Sequence, residues 1–173
     1  MEKQFWIFFL IFGFLKELQC IKIRLHKTVC NSLDESACRF DSCEVKPNKQ
    51  NIPSFSADIK LLNGSIDTLV FQSEFYHVFG KNQLLMANRS FDFCEMITNK
   101  RKNSVAKFFI DIIATYTTIN HSCPFKEDEI FIRNLAVKKF ALPGPEGNYL
   151  FKMKAVANKK SLFRLDLYMK VIN

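Results

Sequence analysis

The sequence predicts a mainly β, antiparallel fold with a single amphipathic helix. Three observations carry that reading. Apolar residues recur at every second position in several separate stretches, one segment alone recurs with helical spacing, and short turn signals separate the last two stretches. Strands alternating with a single helix leave no series of crossovers for a βαβ arrangement.

In chain order, Ile21, Ile23 and Leu25 alternate with Lys22, Arg24 and His26, as in a strand with one buried face. From Ile66 to Phe79, Leu69, Phe71, Phe75 and Phe79 share a face that Ser73 and His77 interrupt. Val105, Phe108, Phe109, Ile112, Ile113 and Tyr116 then repeat at helical spacing, with Asn103 or Ser104 as candidate cap. Pro143-Gly144-Pro145-Glu146-Gly147 ends whatever strand precedes it, because proline has no amide hydrogen for a ladder. Beyond it, Tyr149, Phe151, Met153 and Ala155 share one side, and so do Phe163, Leu165, Leu167, Met169 and Val171. Asn158-Lys159-Lys160 supplies the hairpin turn between them.

The N-terminus has the layout of a signal peptide. Lys3 precedes an almost unbroken apolar run, Phe5 to Leu15, and charge returns at Lys16 and Glu17. The run is shorter than the roughly 20 residues a membrane span needs. Residues 1–20 are therefore expected to be removed and residues 21–173 to form one domain, secreted into the extracellular space. Three sequons, at Asn63, Asn88 and Asn120, suit a glycoprotein. Six cysteines, at 20, 30, 38, 43, 94 and 123, suit cross-linking in an oxidising compartment. Loss of Cys20 with the leader leaves an odd number.

The formal charge of +8 favours anionic partners such as acidic lipids, while no nucleic-acid recognition motif accompanies it. Lys100, Arg101, Lys102 and Lys107 lie at or before the helix start, and Lys152, Lys154, Lys159, Lys160 and Arg164 mark the terminal hairpin. A solvated face explains them more simply than a headgroup site does. Enzymatic readings lack support: there is no G-x-S-x-G elbow, no H-E-x-x-H pair and no glycine-rich phosphate loop. His26, His77 and His121 are scattered, and the cysteine spacing does not match a zinc site. No catalytic residue, metal or cofactor is expected. His121 beside Cys123 could be a reactive pair, but a signal peptide and sequons favour a disulfide there.

The segments Phe91-Asp92-Phe93-Cys94-Glu95, Asn120-His121-Ser122-Cys123-Pro124-Phe125, Asn134-Leu135 and Leu142-Pro143-Gly144-Pro145-Glu146-Gly147-Asn148-Tyr149 resemble, in order and spacing, a family of small secreted insect proteins. That family includes the chemosensory B-type proteins and is regarded as a distant branch of the ML lipid-recognition superfamily, to which the ganglioside activator belongs. The resemblance runs from about Cys30 to the C-terminus. It implies an immunoglobulin-like antiparallel β-sandwich whose sheets part to admit a lipid or another apolar molecule. It also marks Cys30, Cys43, Cys94 and Cys123 as the framework cysteines. Four cysteines allow three pairings; analogy with the ganglioside activator favours Cys94 with Cys123 and Cys30 with Cys43. Cys38 lies outside the pattern, either as a competitor for Cys30 or as a free thiol.

A pocket of this kind needs apolar walls. The inward-facing candidates are Leu69, Phe71, Phe75, Phe151, Met153, Phe163, Leu165, Leu167 and Met169, with Phe108, Phe109 and Ile112 on the helix as a lid. Any sandwich of this size fills its core with such residues, so packing alone accounts for each of them singly. The functional expectation is a non-enzymatic binder of a hydrophobic small molecule, in chemosensation or lipid presentation, with an anionic lipid surface or a membrane receptor as further partner. The alternatives are a ligand-free module that docks a receptor and, more remotely, a secreted enzyme using Glu127, Asp128 or Glu129.

Overall fold

The computed structural model describes residues 22–62, 64–98, 115–119, 121–126, 128–136 and 145–172. In chain order these form β1 (Lys22–Ser32), β2 (Cys38–Pro47), β3 (Pro53–Leu61), β4 (Leu69–Phe79), β5 (Asn82–Asp92), the short helix α1 (Phe93–Thr98), β6 (Glu129–Leu135), β7 (Gly147–Ala157) and β8 (Lys160–Ile172). Two antiparallel sheets face each other. The larger has five strands in the order β1-β8-β7-β4-β5, and the smaller has three in the order β2-β3-β6. The predicted mainly β, two-sheet architecture is what the chain adopts.

Alternation sets which side faces in. On β8, Phe163, Leu165, Leu167, Met169 and Val171 are all buried, whereas Arg164 and Lys170 are exposed. β1 begins as the pattern requires, with Ile23 and Leu25 buried between exposed Lys22 and Arg24. An irregularity at His26 then shifts the register, so that Thr28 and Cys30 take over the inward side opposite Leu167 and Leu165. On the smaller sheet, Phe55, Ala57, Ile59 and Leu61 of β3 are buried and face the larger sheet.

Turn chemistry fixes the hairpins. Asn158 and Lys159 both have positive φ, 48° and 66°, which is the geometry a two-residue turn needs to follow strand twist. Lys160, expected within the turn, is the first residue of β8. The Asn158 side chain also accepts the amides of Asp67 and Thr68 at 3.1 and 3.2 Å and donates to the Ser65 carbonyl at 2.9 Å. The turn is thereby tied to the chain entering β4. Gly80, at φ 59°, opens the Gly80–Lys81 turn between β4 and β5.

α1 was not expected from hydrophobic periodicity. It is capped by Asp92, whose carboxylate accepts the Glu95 amide at 2.9 Å, and it buries Phe93 and Ile97. The helix predicted over Val105–Tyr116 lies outside the described residues except at Thr115 and Tyr116, which are helical. Two disulfides are present, Cys30–Cys43 and Cys94–Cys123. The first joins β1 to β2, and so one sheet to the other along an edge. The second ties α1 to the segment in which Phe125 pairs with Ile66. Cys38 is free and fully buried, its thiol donating to the Leu162 carbonyl at 3.2 Å.

Candidate functional site: a seam between the sheets

The interior consists of two separate clusters. At one end Ile66, Leu69, Phe71, Phe93, Phe125 and Phe163 pack with their neighbours under α1. At the other, Ile23, Leu25, Phe55, Tyr149, Met169 and Val171 form a second core. Phe40, Ile132 and Met153 touch both and are buried only in part. They mark a seam across the middle of the sandwich.

The burial pattern of β7 shows the seam most clearly. This strand is central, hydrogen-bonded to β8 on one side and β4 on the other. Its inward residues run Tyr149, Phe151, Met153, Ala155; the first and last are buried and the middle two only half-buried. β4 repeats this, because Phe75 opposite Phe151 and Ser73 opposite Met153 are half-buried between buried Phe71 and His77. In a close-packed sandwich, apolar residues on the inner face of central strands are covered by the opposing sheet. Here the opposing sheet is two strands narrower. β2 and β3 lie against β1, and the Cys30–Cys43 bond closes that side. The β4–β5 side extends past β6, and α1 packs on it at one end. Among the described residues, the seam therefore opens between β6 and the β4–β5 ribbon.

One rim of the opening is an aromatic stack. The rings of Phe75 and Tyr149 lie 5.2 Å apart and nearly parallel, His77 stacks on Tyr149 at 4.5 Å, and Phe79 contacts His77 at 3.9 Å. The Tyr149 hydroxyl donates to the Pro145 carbonyl at 2.6 Å, so the ring is fixed at both ends. Burial pushes the Tyr149 phenol up from its ordinary value, which keeps it neutral. Apart from His77, Ser73 and the Tyr149 hydroxyl, which is bonded to Pro145, the inner face of β4 and β7 presents no polar side chain. Such a wall suits an apolar molecule held by shape.

The predicted pocket residues divide between these regions. Phe75, Phe151 and Met153 meet at the seam. Leu69, Phe71 and Phe163 belong to the first cluster, and Leu165, Leu167 and Met169 to the second, all of them buried. Phe108, Phe109 and Ile112 lie outside the described residues, as do Lys100, Arg101, Lys102 and Lys107 and the sequons Asn63 and Asn120. Asn88 is exposed on β5, opposite Glu74. Ile132 and Phe40 were missed by sequence reasoning. Ile132 alternates with Ile130 on β6, a signal only seven residues long.

Two surface clefts are also described. One lies at the β1–β2 edge beside Cys30, Asn31, Glu35 and Arg39 and reaches the seam residue Phe40, the other on the outer face of the smaller sheet beside Asp41, Asp58 and Lys60. Neither is lined by a predicted pocket residue. The basic residues of the terminal hairpin point away from the seam. Lys152 lies over the Tyr76 ring at 4.6 Å, and Arg164 forms a two-point pair with buried Asp166 at 2.8 and 2.6 Å. His121 is exposed, its Nδ1 2.7 Å from the Ser122 carbonyl, and Cys123 is consumed in its disulfide.

A family model described as a protein of unknown function, DUF1091, matches residues 66–151. The matched span runs from the bridge at Ile66 through β4, β5, α1 and β6 into β7. It therefore includes Phe75, Ile132, Tyr149 and Phe151 at the seam, both cysteines of the Cys94–Cys123 bond, and the β4–β5 ribbon. No curated protein matches the chain. Among solved structures, chicken MD-1 complexed with lipid IVa aligns with 86% of this chain and 96% of that chain, at 14% identity and a TM-score of 0.36. A likeness at that level carries no argument about the ligand of this chain.

Proposed function

We propose that this chain is a secreted, non-enzymatic carrier of an apolar small molecule, such as a lipid or long-chain hydrocarbon, held in the seam between its sheets. The observation that carries the reading is the half-burial of Phe151 and Met153, inward-facing residues of a central strand, between fully buried Tyr149 and Ala155. An apolar ligand lying across them and Phe75 would complete the burial that the narrower sheet leaves unfinished. Covering that surface is favourable by roughly 25 cal/mol for each Å² removed from water. Secretion is supported by the leader-like residues 1–20 and by the two disulfides, which persist in oxidising compartments. Chemical communication and lipid presentation are the settings in which such a carrier would act.

Native mass spectrometry of protein purified from eukaryotic secretion tests this directly. The expected result is a reproducible co-purifying apolar adduct, absent from Met153→Trp, whose larger side chain fills the seam. A wild-type protein without adduct that also fails to bind added fatty acid would overturn the proposal and favour a ligand-free interaction module.

A further inference from the structure

The β4–β5 hairpin is apolar where it is least covered. Phe79 is 53% exposed, Leu84 59%, Leu85 49% and Met86 41%, all close to the Gly80–Lys81 turn. Register places Leu84 beside His77 on the inner face and Leu85 beside Tyr76 on the outer. A folded partner resting on either face would cover one leucine and leave the other in water. A medium that surrounds the hairpin covers both.

Charge is distributed to match. Val78 lies opposite Asn148, Asn148 opposite Lys170, and Lys170 opposite Arg24, so the β4–β5 turn shares one end of the molecule with the start of β1 and the end of β8. Lys22, Arg24, Lys27, Lys170 and Lys81 are exposed at that end, and the β2–β3 turn adds Lys49. Among the described residues, the acids there are Glu44, already paired with Lys46 at 2.6 Å, and Glu146. Acids crowd the opposite end instead, at Asp34, Glu35, Asp67, Asp92, Glu95 and Asp128.

We propose that this basic end docks on an anionic lipid bilayer, with the β4–β5 hairpin seated among the headgroups and the surrounding cations on lipid phosphates and carboxylates. Apolar side chains at the headgroup–acyl boundary, flanked by Lys and Arg, are how peripheral proteins bind such surfaces. Seating is shallow, because the outer backbone edge of β5, which pairs with no strand among the described residues, cannot enter hydrocarbon. The sequon at Asn88 lies three residues beyond Leu85, about 10 Å along the strand, so a glycan there stays outside the contact. The inference does not depend on what the seam holds.

The experiment is co-sedimentation of the full secreted chain with phosphatidylcholine vesicles, with and without about one-third phosphatidylserine. Binding is expected only with phosphatidylserine, and to weaken as salt rises. Leu84→Ser/Leu85→Ser should lower partitioning on the order of 10-fold or more. Arg24→Gln/Lys27→Gln/Lys170→Gln should lower it on the order of 100-fold. All these positions are exposed, and an unchanged melting temperature verifies folding. Absence of binding to anionic vesicles, or equal binding by the folded variants, overturns the proposal. So does a dimer in light scattering that Leu84→Ser/Leu85→Ser dissociates, which would assign the hairpin to a second copy. Native mass spectrometry of the same variants reports the seam separately: an adduct retained while vesicle binding is lost separates the two functions.

Discussion

Gly147 has no room for a side chain. A Cβ there would lie 2.4 Å from His77 Nε2, and its φ of 156° is one that side chains rarely adopt. His77 cannot yield easily, since it is held between Tyr149 and Phe79. Gly147→Ala should therefore destabilise the protein by about 2 kcal/mol or more in urea unfolding. Combined with His77→Ala, the loss should be less than additive, because the clash disappears. Cys38 allows a different measurement. Burial raises its thiol pKa, a bond with Ser32 opposing the rise and the Asp34 carboxylate adding to it. The folded state thus holds the proton more tightly than the unfolded chain. The resulting stability is fully present below about pH 8.5, the ordinary thiol value, and is lost as pH rises from there through the folded pKa. Wild type and Cys38→Ala should differ by a constant amount at neutral pH and by a shrinking amount in alkali, read from paired urea titrations.

At the level of elements, the terminal hairpin was legible because charged residues alternate with apolar ones along both strands, Lys152 and Lys154 on β7 and Arg164, Asp166 and Lys170 on β8. β5 was not. Its residues from Asn82 to Ser90 are all exposed, so no alternation is imposed on its sequence. α1 is too short to show a helical period, although Asp92 and Glu95 carry a capping signal. The seam was legible only as a list of candidates: Phe151 and Leu167 alternate in the same way, yet one is half-buried and the other buried. That difference arises from the width of the opposing sheet, which no single strand records. The β7–β8 turn offers a test of element-level tethering. Asn158→Gly keeps the positive φ but loses the bonds to Ser65, Asp67 and Thr68, and should cost about 1 kcal/mol. Asn158→Ala loses both and should cost about 2 kcal/mol, measured by thermal or urea unfolding.

For the whole molecule, the Cys30–Cys43 bond is the covalent link between the two sheets along the β1–β2 edge. Removing it with Cys30→Ala/Cys43→Ala should lower stability by roughly 3 kcal/mol, as expected for closing a loop of this size. Under the carrier proposal it should also speed exchange of a fluorescent fatty acid, because the closed edge would no longer hold the sheets in register. A melting temperature equal to that of the wild type would show that side-chain packing alone holds this edge.

Backbone hydrogen bonds run within each sheet, while the inner faces meet across the seam through side chains. A change in the gap between the sheets therefore breaks no ladder. It exchanges one set of apolar contacts for another, with the bonded edge as the spine of a book and the β6 and β4–β5 margins as its covers. Guests of different thickness could then be accommodated at similar cost, and selection among them would fall to length and to the aromatic rim rather than to girth.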